Sequence, residues 1–129
     1  MDKSRINRLV MQVYEAAREV HEQCGTGISV ALFKSCLAHE MRLNGLRFRL
    51  DQDFPVVYKN VKLDHTLNAH FFIEDILPLN LIKSDEEATQ EMLSLLRMND
   101  LPIGLIIKIN KTQLVDGLIK IQNPLKRTL

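Results

Sequence analysis

The chain has 129 residues, 46% of them hydrophobic and 26% charged, with a net charge of +1. That is the make-up of an ordinary globular protein, enough for one domain, 1–129, with a core of its own. The near-zero charge gives no electrostatic argument for a nucleic-acid partner, nor against one if the charges are segregated, and no apolar run approaches the ~18 residues of a membrane span.

Two cysteines, Cys24 and Cys36, stand outside any C-x-x-C motif, too few for a disulfide scaffold. They are read as reduced thiols of a cytoplasmic protein. The N-terminus leads into an amphipathic segment and not into a signal-peptide core. There, Ile6, Leu9, Val10, Val13, Ala17 and Val20 recur at spacings of three and four, predicting a helix over 6–23 that Asp2 or Ser4 can cap. Gly25 and Gly27 end it. A second helix is expected over 28–44, with Ile28, Ala31, Leu32, Cys36, Leu37, Met41 and Leu43 as its apolar positions and Asn44-Gly45 as its stop. Leu46–Leu50 alternates strictly, as a strand with one wet face does. Phe54–Tyr58 and Val61–Leu63 read as two short strands turning through Lys59-Asn60.

Two apolar runs follow, Ala69–Ile73 and Ile76–Ile82, separated by the acidic pair Glu74-Asp75. They predict a β-hairpin. Neither arm alternates cleanly, so both are expected to be buried on both faces, in a sheet covered by helices. Strand periodicity pairs His70 with Phe72 on one face, and Asn80 with Ile82 on one face. Ser84, capping Asp85-Glu86-Glu87, starts a third helix that Asn99-Asp100 stops. Leu101–Ile109 is a hydrophobic strand, with Gly104 marking a close approach. A short strand or turn near Leu114–Gly117, an edge strand at Leu118–Ile121 and a frayed polar tail from Asn123 complete the chain. The order α, α, mostly β, α, β makes it one α/β domain with a mixed sheet.

Several phrases, in order, resemble the GxxExxY family of the PD-(D/E)XK nuclease superfamily. They are Glu19-Val20-His21-Glu22, Gly25-Thr26-Gly27, Leu37–Leu46, Pro55–Leu63, Leu101–Ile107 and Asp116–Lys120. The resemblance covers roughly residues 6 to 124. It implies a PD-(D/E)XK nuclease-like mixed β-sheet flanked by helices. It also implies a Mg²⁺ site of carboxylates, beside a lysine that orients or activates the attacking water. This chain departs from that pattern at each functional position. From the motif glycine, Gly27, the family glutamate is Val30 and its tyrosine is Phe33. The aspartate after Ala69 is His70, and glutamate-x-lysine on the next strand is Asn80-Leu81-Ile82. Gln90 and Glu91 are nearest to the family glutamine. Lys83 stands one place beyond the expected lysine, and on a strand that offset turns it to the other face unless a bulge intervenes, for which Pro78 is a marker.

Magnesium wants anionic oxygen ligands, and the resemblance with its departures implies no catalytic residues and no cofactor. The expected function is therefore a catalytically inactive nuclease-fold protein with a binding or assembly role. His70, Asn80 and Lys83 are the candidate ligand-binding residues of the former cleft, which a small-molecule binding module would use. The competing reading is an active metal-dependent nucleic-acid hydrolase relocated to Glu22, Glu40, Glu74, Asp75 or Lys83. His21, His39, His65 and His70 lack the i, i+4 pairing of a helical metal site, and His70 reads as a hydrogen-bonded structural histidine. Glu74-Asp75 reads as a solvated turn, and Arg42, Arg47, Arg49, Lys59 and Lys62 as a weak basic rim. A homodimer through exposed edge strands such as Leu118–Ile121 is the expected assembly.

Overall fold

A computed structural model describes residues 3–84 and 87–124. Helix α1 (Lys3–Cys24) buries all six apolar residues of its expected stripe, and Ala16 besides. Ser4 lies inside the helix, and Asp2 lies outside the described residues. Gly25 ends α1 at φ +75°, the left-handed geometry that glycine adopts without steric cost. Helix α2 (Val30–Leu43) starts after Ser29, whose Oγ accepts the Leu32 N–H at 3.0 Å. Its buried residues are Phe33, Leu37, Ala38 and Met41, whereas Leu32 and Leu43, expected inside, are 50% and 66% exposed. Apolar residues surround much of this helix, so the stripe is ambiguous in sequence. The ring of Phe33 takes the inward position.

The three short strands expected over 46–63 are parts of two long ones, β1 (Phe48–Tyr58) and β2 (Val61–Ile73). Backbone pairing continues through the polar stretches, with a register irregularity between Pro55 and Val57. Lys59 and Asn60, at φ +49° and +68°, make the tight turn between them. A second such turn at Glu74 and Asp75 (φ +52° and +59°) leads into β3 (Leu77–Ile82).

Helix α3 (Ala88–Asn99) has Glu87 at its N-cap, not Ser84; Asp85 and Glu86 lie outside the described residues. Strand β4 (Ile103–Lys108), a 3₁₀ turn at Leu114–Gly117 and strand β5 (Leu118–Gln122) follow. At Gly104 a side chain would run into Met92, so glycine there lets α3 lie close on β4. Of the tail expected to fray from Asn123, residues 125–129 lie outside the described residues, and Asn123 itself is held in place. It is buried, and its Nδ2 donates to the carbonyls of Leu96 and Leu101 at 3.2 and 3.0 Å.

The five strands form one mixed sheet in the order β1-β2-β3-β4-β5, antiparallel except for the parallel pair β3-β4. Helices α1 and α2 cover one face, packing on Phe71, Ile73, Leu79, Leu105 and Ile107. Helix α3 covers the other, packing around Phe72, Ile106 and Ile121. Neighbours Phe71 and Phe72 thus serve opposite layers, which is why the hairpin arms do not alternate. Phe71 lies edge-to-face on Phe48 at 5.5 Å, and Phe72 on Phe54 at 5.0 Å.

The middle of the sheet sets the geometry of the site. Strands β2 and β3 pair only at Phe71↔Leu79, Phe72↔Pro78 and Ile73↔Leu77. Below those rungs β2 stays with β1, while β3 stays with β4 as far as Ile82↔Lys108. The sheet therefore forks at His70 and Asn80. Pro78 pairs in regular register, without the bulge that would re-aim Lys83.

Phe71 is fully buried beside the fork. Phe71→Ala should cost about 3–5 kcal/mol by opening a cavity there. Urea unfolding checks this; a loss under about 1 kcal/mol would mean that the core next to the fork is not packed as described.

Candidate functional site

Continuing the β2–β3 register by one rung sets His70 opposite Asn80, and there side chains replace the ladder. The His70 N–H donates to Asn80 Oδ1 at 2.8 Å, and the Leu81 N–H donates to His70 Nδ1 at 2.9 Å. Each side chain satisfies a backbone donor that the diverging strands would otherwise strand. Backbone amides can only donate, so the accepting atoms are fixed. Asn80 presents its oxygen inward, and His70 Nδ1 carries no proton. The neutral ring is therefore the Nε2–H tautomer.

Across β1, Asp51 holds φ +50° at the level of His70, and its carboxylate pairs with Lys34 Nζ from α2. Aspartate tolerates this left-handed conformation better than most residues. Burial holds the His70 pKa below its ordinary value, the Lys34 cation lowers it further, and Asp51 partly opposes both. Asp51 itself is held below the usual carboxylate range, chiefly by the hydrogen bond from Lys34.

The fork opens a groove of about 520 Å³. Val30, Leu67, Leu81, Ile82 and Ala88 give it apolar walls, and Thr66, Asn68, His70, Asn80 and Glu91 its polar groups. Val30 is the first residue of α2 and Ala88 the first of α3, so both helices begin at the groove. Of the positions matched to the family pattern, Val30, His70, Asn80 and Ile82 come together here. Phe33 does not; it is fully buried under α2. Lys83 lies in an exposed bend after β3, and of Gln90 and Glu91 only Glu91 lines the groove. Thr66, Leu67, Asn68 and Ala88 were not legible as site residues, because only the divergence of the strands exposes them to a common space.

The donor set among the described residues does not suit a divalent cation. Val30 and Ile82 have nothing to ligate with, the single lone pair of His70 Nδ1 is taken by the Leu81 amide, Asn80 Oδ1 is neutral and already accepts from the His70 amide, and of the described residues Glu91 alone brings a carboxylate to the groove. Among the described residues no three His, Cys, Asp or Glu side chains are grouped to hold a metal.

The other acids are dispersed. Glu22 pairs with Arg18 on α1, and Glu40 lines a separate groove with Cys24, Cys36 and His39. Asp75 pairs with Arg49, and Glu74 accepts the Arg47 N–H at 2.8 Å. Glu74 is therefore a half-buried turn cap rather than a solvated side chain. These pairs also engage Arg47 and Arg49 of the expected basic rim, while Arg42 lies over the Phe48 ring at 5.1 Å. His21 Nε2 contacts the Lys111 carbonyl at 2.8 Å, a structural role. Among the described residues no helix is long and apolar enough to cross a membrane.

In comparisons with known proteins, the profile of the PD-(D/E)XK nuclease superfamily matches residues 7–121. No curated protein and no solved structure matches the chain.

The two reciprocal bonds that His70 and Asn80 make to each other's strands form a clip, and it has a pH signature. A histidine whose pKa is lower folded than unfolded contributes stability that is present above the unfolded value, about 6.5, and lost as pH falls through the folded one. Among the described residues, Lys34 and Asp51 act on His70, and Glu91 lines the same groove. Stability should therefore decline below about pH 6.5 by more in the wild type than in His70→Ala. At higher pH, His70→Ala should cost about 1–3 kcal/mol by leaving the Leu81 N–H unpaired. Parallel urea titrations across pH check both; identical pH profiles for the two proteins would contradict the clip.

Proposed function

The chain belongs to the PD-(D/E)XK nuclease superfamily, and we propose that it is a catalytically inactive, GxxExxY-type member whose role is binding. One observation carries this reading: the two side chains at the fork spend their acceptor atoms on each other's strands. Hydrolysis of a phosphodiester in a metal site needs a cation to generate hydroxide and stabilise charge. Among the described residues those lining the groove supply one carboxylate, from Glu91, and Lys83 stands outside it. The surrounding walls are aliphatic at two of the positions where the family pattern carries charge, Val30 and Ile82. A relocated site has less support, since Glu22, Glu74 and Asp75 are each engaged with an arginine. The Glu74-Asp75 turn is also roughly 13 Å along β2 from His70, at about 3.3 Å per residue.

The purified protein should not cleave single- or double-stranded DNA or RNA with Mg²⁺ or Mn²⁺. A cleavage assay over a metal panel tests it, with His70→Ala and Asn80→Ala alongside. Metal-dependent cleavage that survives both changes would point to a relocated site. Cleavage abolished by either would make the altered constellation itself catalytic. Either result defeats the inactive reading.

A further inference from the structure

The clip leaves two polar groups with no protein partner among the described residues, His70 Nε2 and Asn80 Nδ2. Both residues are half-buried, yet no buried side-chain nitrogen or oxygen among the described residues lacks a hydrogen bond. Nε2 and Nδ2 therefore reach solvent, and both residues line the groove. Their chemistry is fixed by the bonds behind them. With Nδ1 accepting from Leu81, the neutral ring has its proton on Nε2; with Oδ1 accepting from His70, the NH₂ of Asn80 is left over. Both are donors. A site whose superfamily pattern is built from acceptors for a cation is here built from donors, so its ligand preference is inverted. The first turn of α2, which begins at the groove with Val30, contains no acidic residue, and its positive dipole end adds to the same preference. Val30, Leu67 and Ile82 supply apolar wall, and the groove's volume is that of a small-molecule site.

We propose that this groove binds a small organic molecule bearing an oxyanion, a carboxylate or a phosphate monoester. The oxyanion accepts from His70 Nε2–H and Asn80 Nδ2–H, and the apolar body lies against Val30, Leu67 and Ile82. Glu91, on the α3 side, confines the anion to the strand side of the groove. The proposal rests on the reading of the cleft as a site without metal.

Phenyl phosphate and benzoate are suitable probes, with benzamidine as a cation of similar size and a single-stranded oligonucleotide as the polymeric alternative. Calorimetry and side-chain ¹⁵N NMR at neutral pH, without metal, should show saturable binding of an aryl oxyanion at one site, shifting His70 Nε2 and Asn80 Nδ2. The tighter of the two probes identifies the headgroup. Asn80→Asp keeps an oxygen for the His70 N–H and replaces the donor by an anion. It should weaken oxyanion binding about tenfold or more while the protein stays folded by circular dichroism. Glu91→Gln should strengthen it.

The proposal is overturned by absence of saturable binding of either oxyanion, by binding that Asn80→Asp leaves unchanged, or by equal affinity for benzamidine. An oligonucleotide that perturbs the same resonances roughly a hundredfold more tightly would also overturn it and assign the groove to nucleic acid. None of these outcomes bears on catalytic inactivity, which the cleavage assay decides separately.

Discussion

Where a sheet forks, two backbone donors lose their rungs. Here they are the N–H groups of His70 and Leu81, and Leu81 is almost wholly buried. A buried amide without an acceptor costs about 1–3 kcal/mol, so the fork persists only if side chains supply what the ladder no longer does. His70 and Asn80 supply it to each other's strands. The groove, its walls and the side chains that line it all follow from holding the strands apart at this point while keeping their amides bonded.

The same requirement sets what the site can do. The one lone pair of His70 Nδ1 accepts from a backbone amide and is unavailable to a cation, and with Asn80 Oδ1 turned to the His70 amide the atoms left over, His70 Nε2 and Asn80 Nδ2, are donors. Imidazole and carboxamide both have this two-sided character, whereas a carboxylate accepts on both oxygens. His70 and Asn80 thus make a donor pair at the fork. Burial and the Lys34 cation work in the same direction, lowering the His70 pKa, while Asp51 partly opposes them.

Much of the fold was legible in the sequence because periodicity reports burial. The α1 stripe, the hairpin with its acidic turn and the edge strand Leu118–Gln122 were all visible. The failures have physical causes. Leu32 and Phe33 compete for one inward position at the start of a helix whose first four residues are all apolar. The polar run from Asp51 to Asp53, and that from Asp64 to Asn68, conceal strand because ladder bonding does not depend on side-chain polarity. In the site, the absence of a carboxylate at His70 and Asn80 and of a lysine at Ile82 could be read from residue types. The reciprocal bonding of His70 and Asn80 could not, because it needs the register that ends at Leu79. Asp51 and Lys34 lie 17 positions apart and carried no local signal of pairing.

The tautomer of His70 tests the account most directly. Long-range ¹H–¹⁵N correlation on the imidazole at about pH 8, well above the ordinary histidine pKa, reports which nitrogen carries the proton. The clip predicts a single tautomer, with the proton on Nε2, Nδ1 unprotonated, and a Leu81 amide strongly protected from exchange. A proton on Nδ1, or a rapidly averaging ring with an exchanging Leu81 amide, would contradict it.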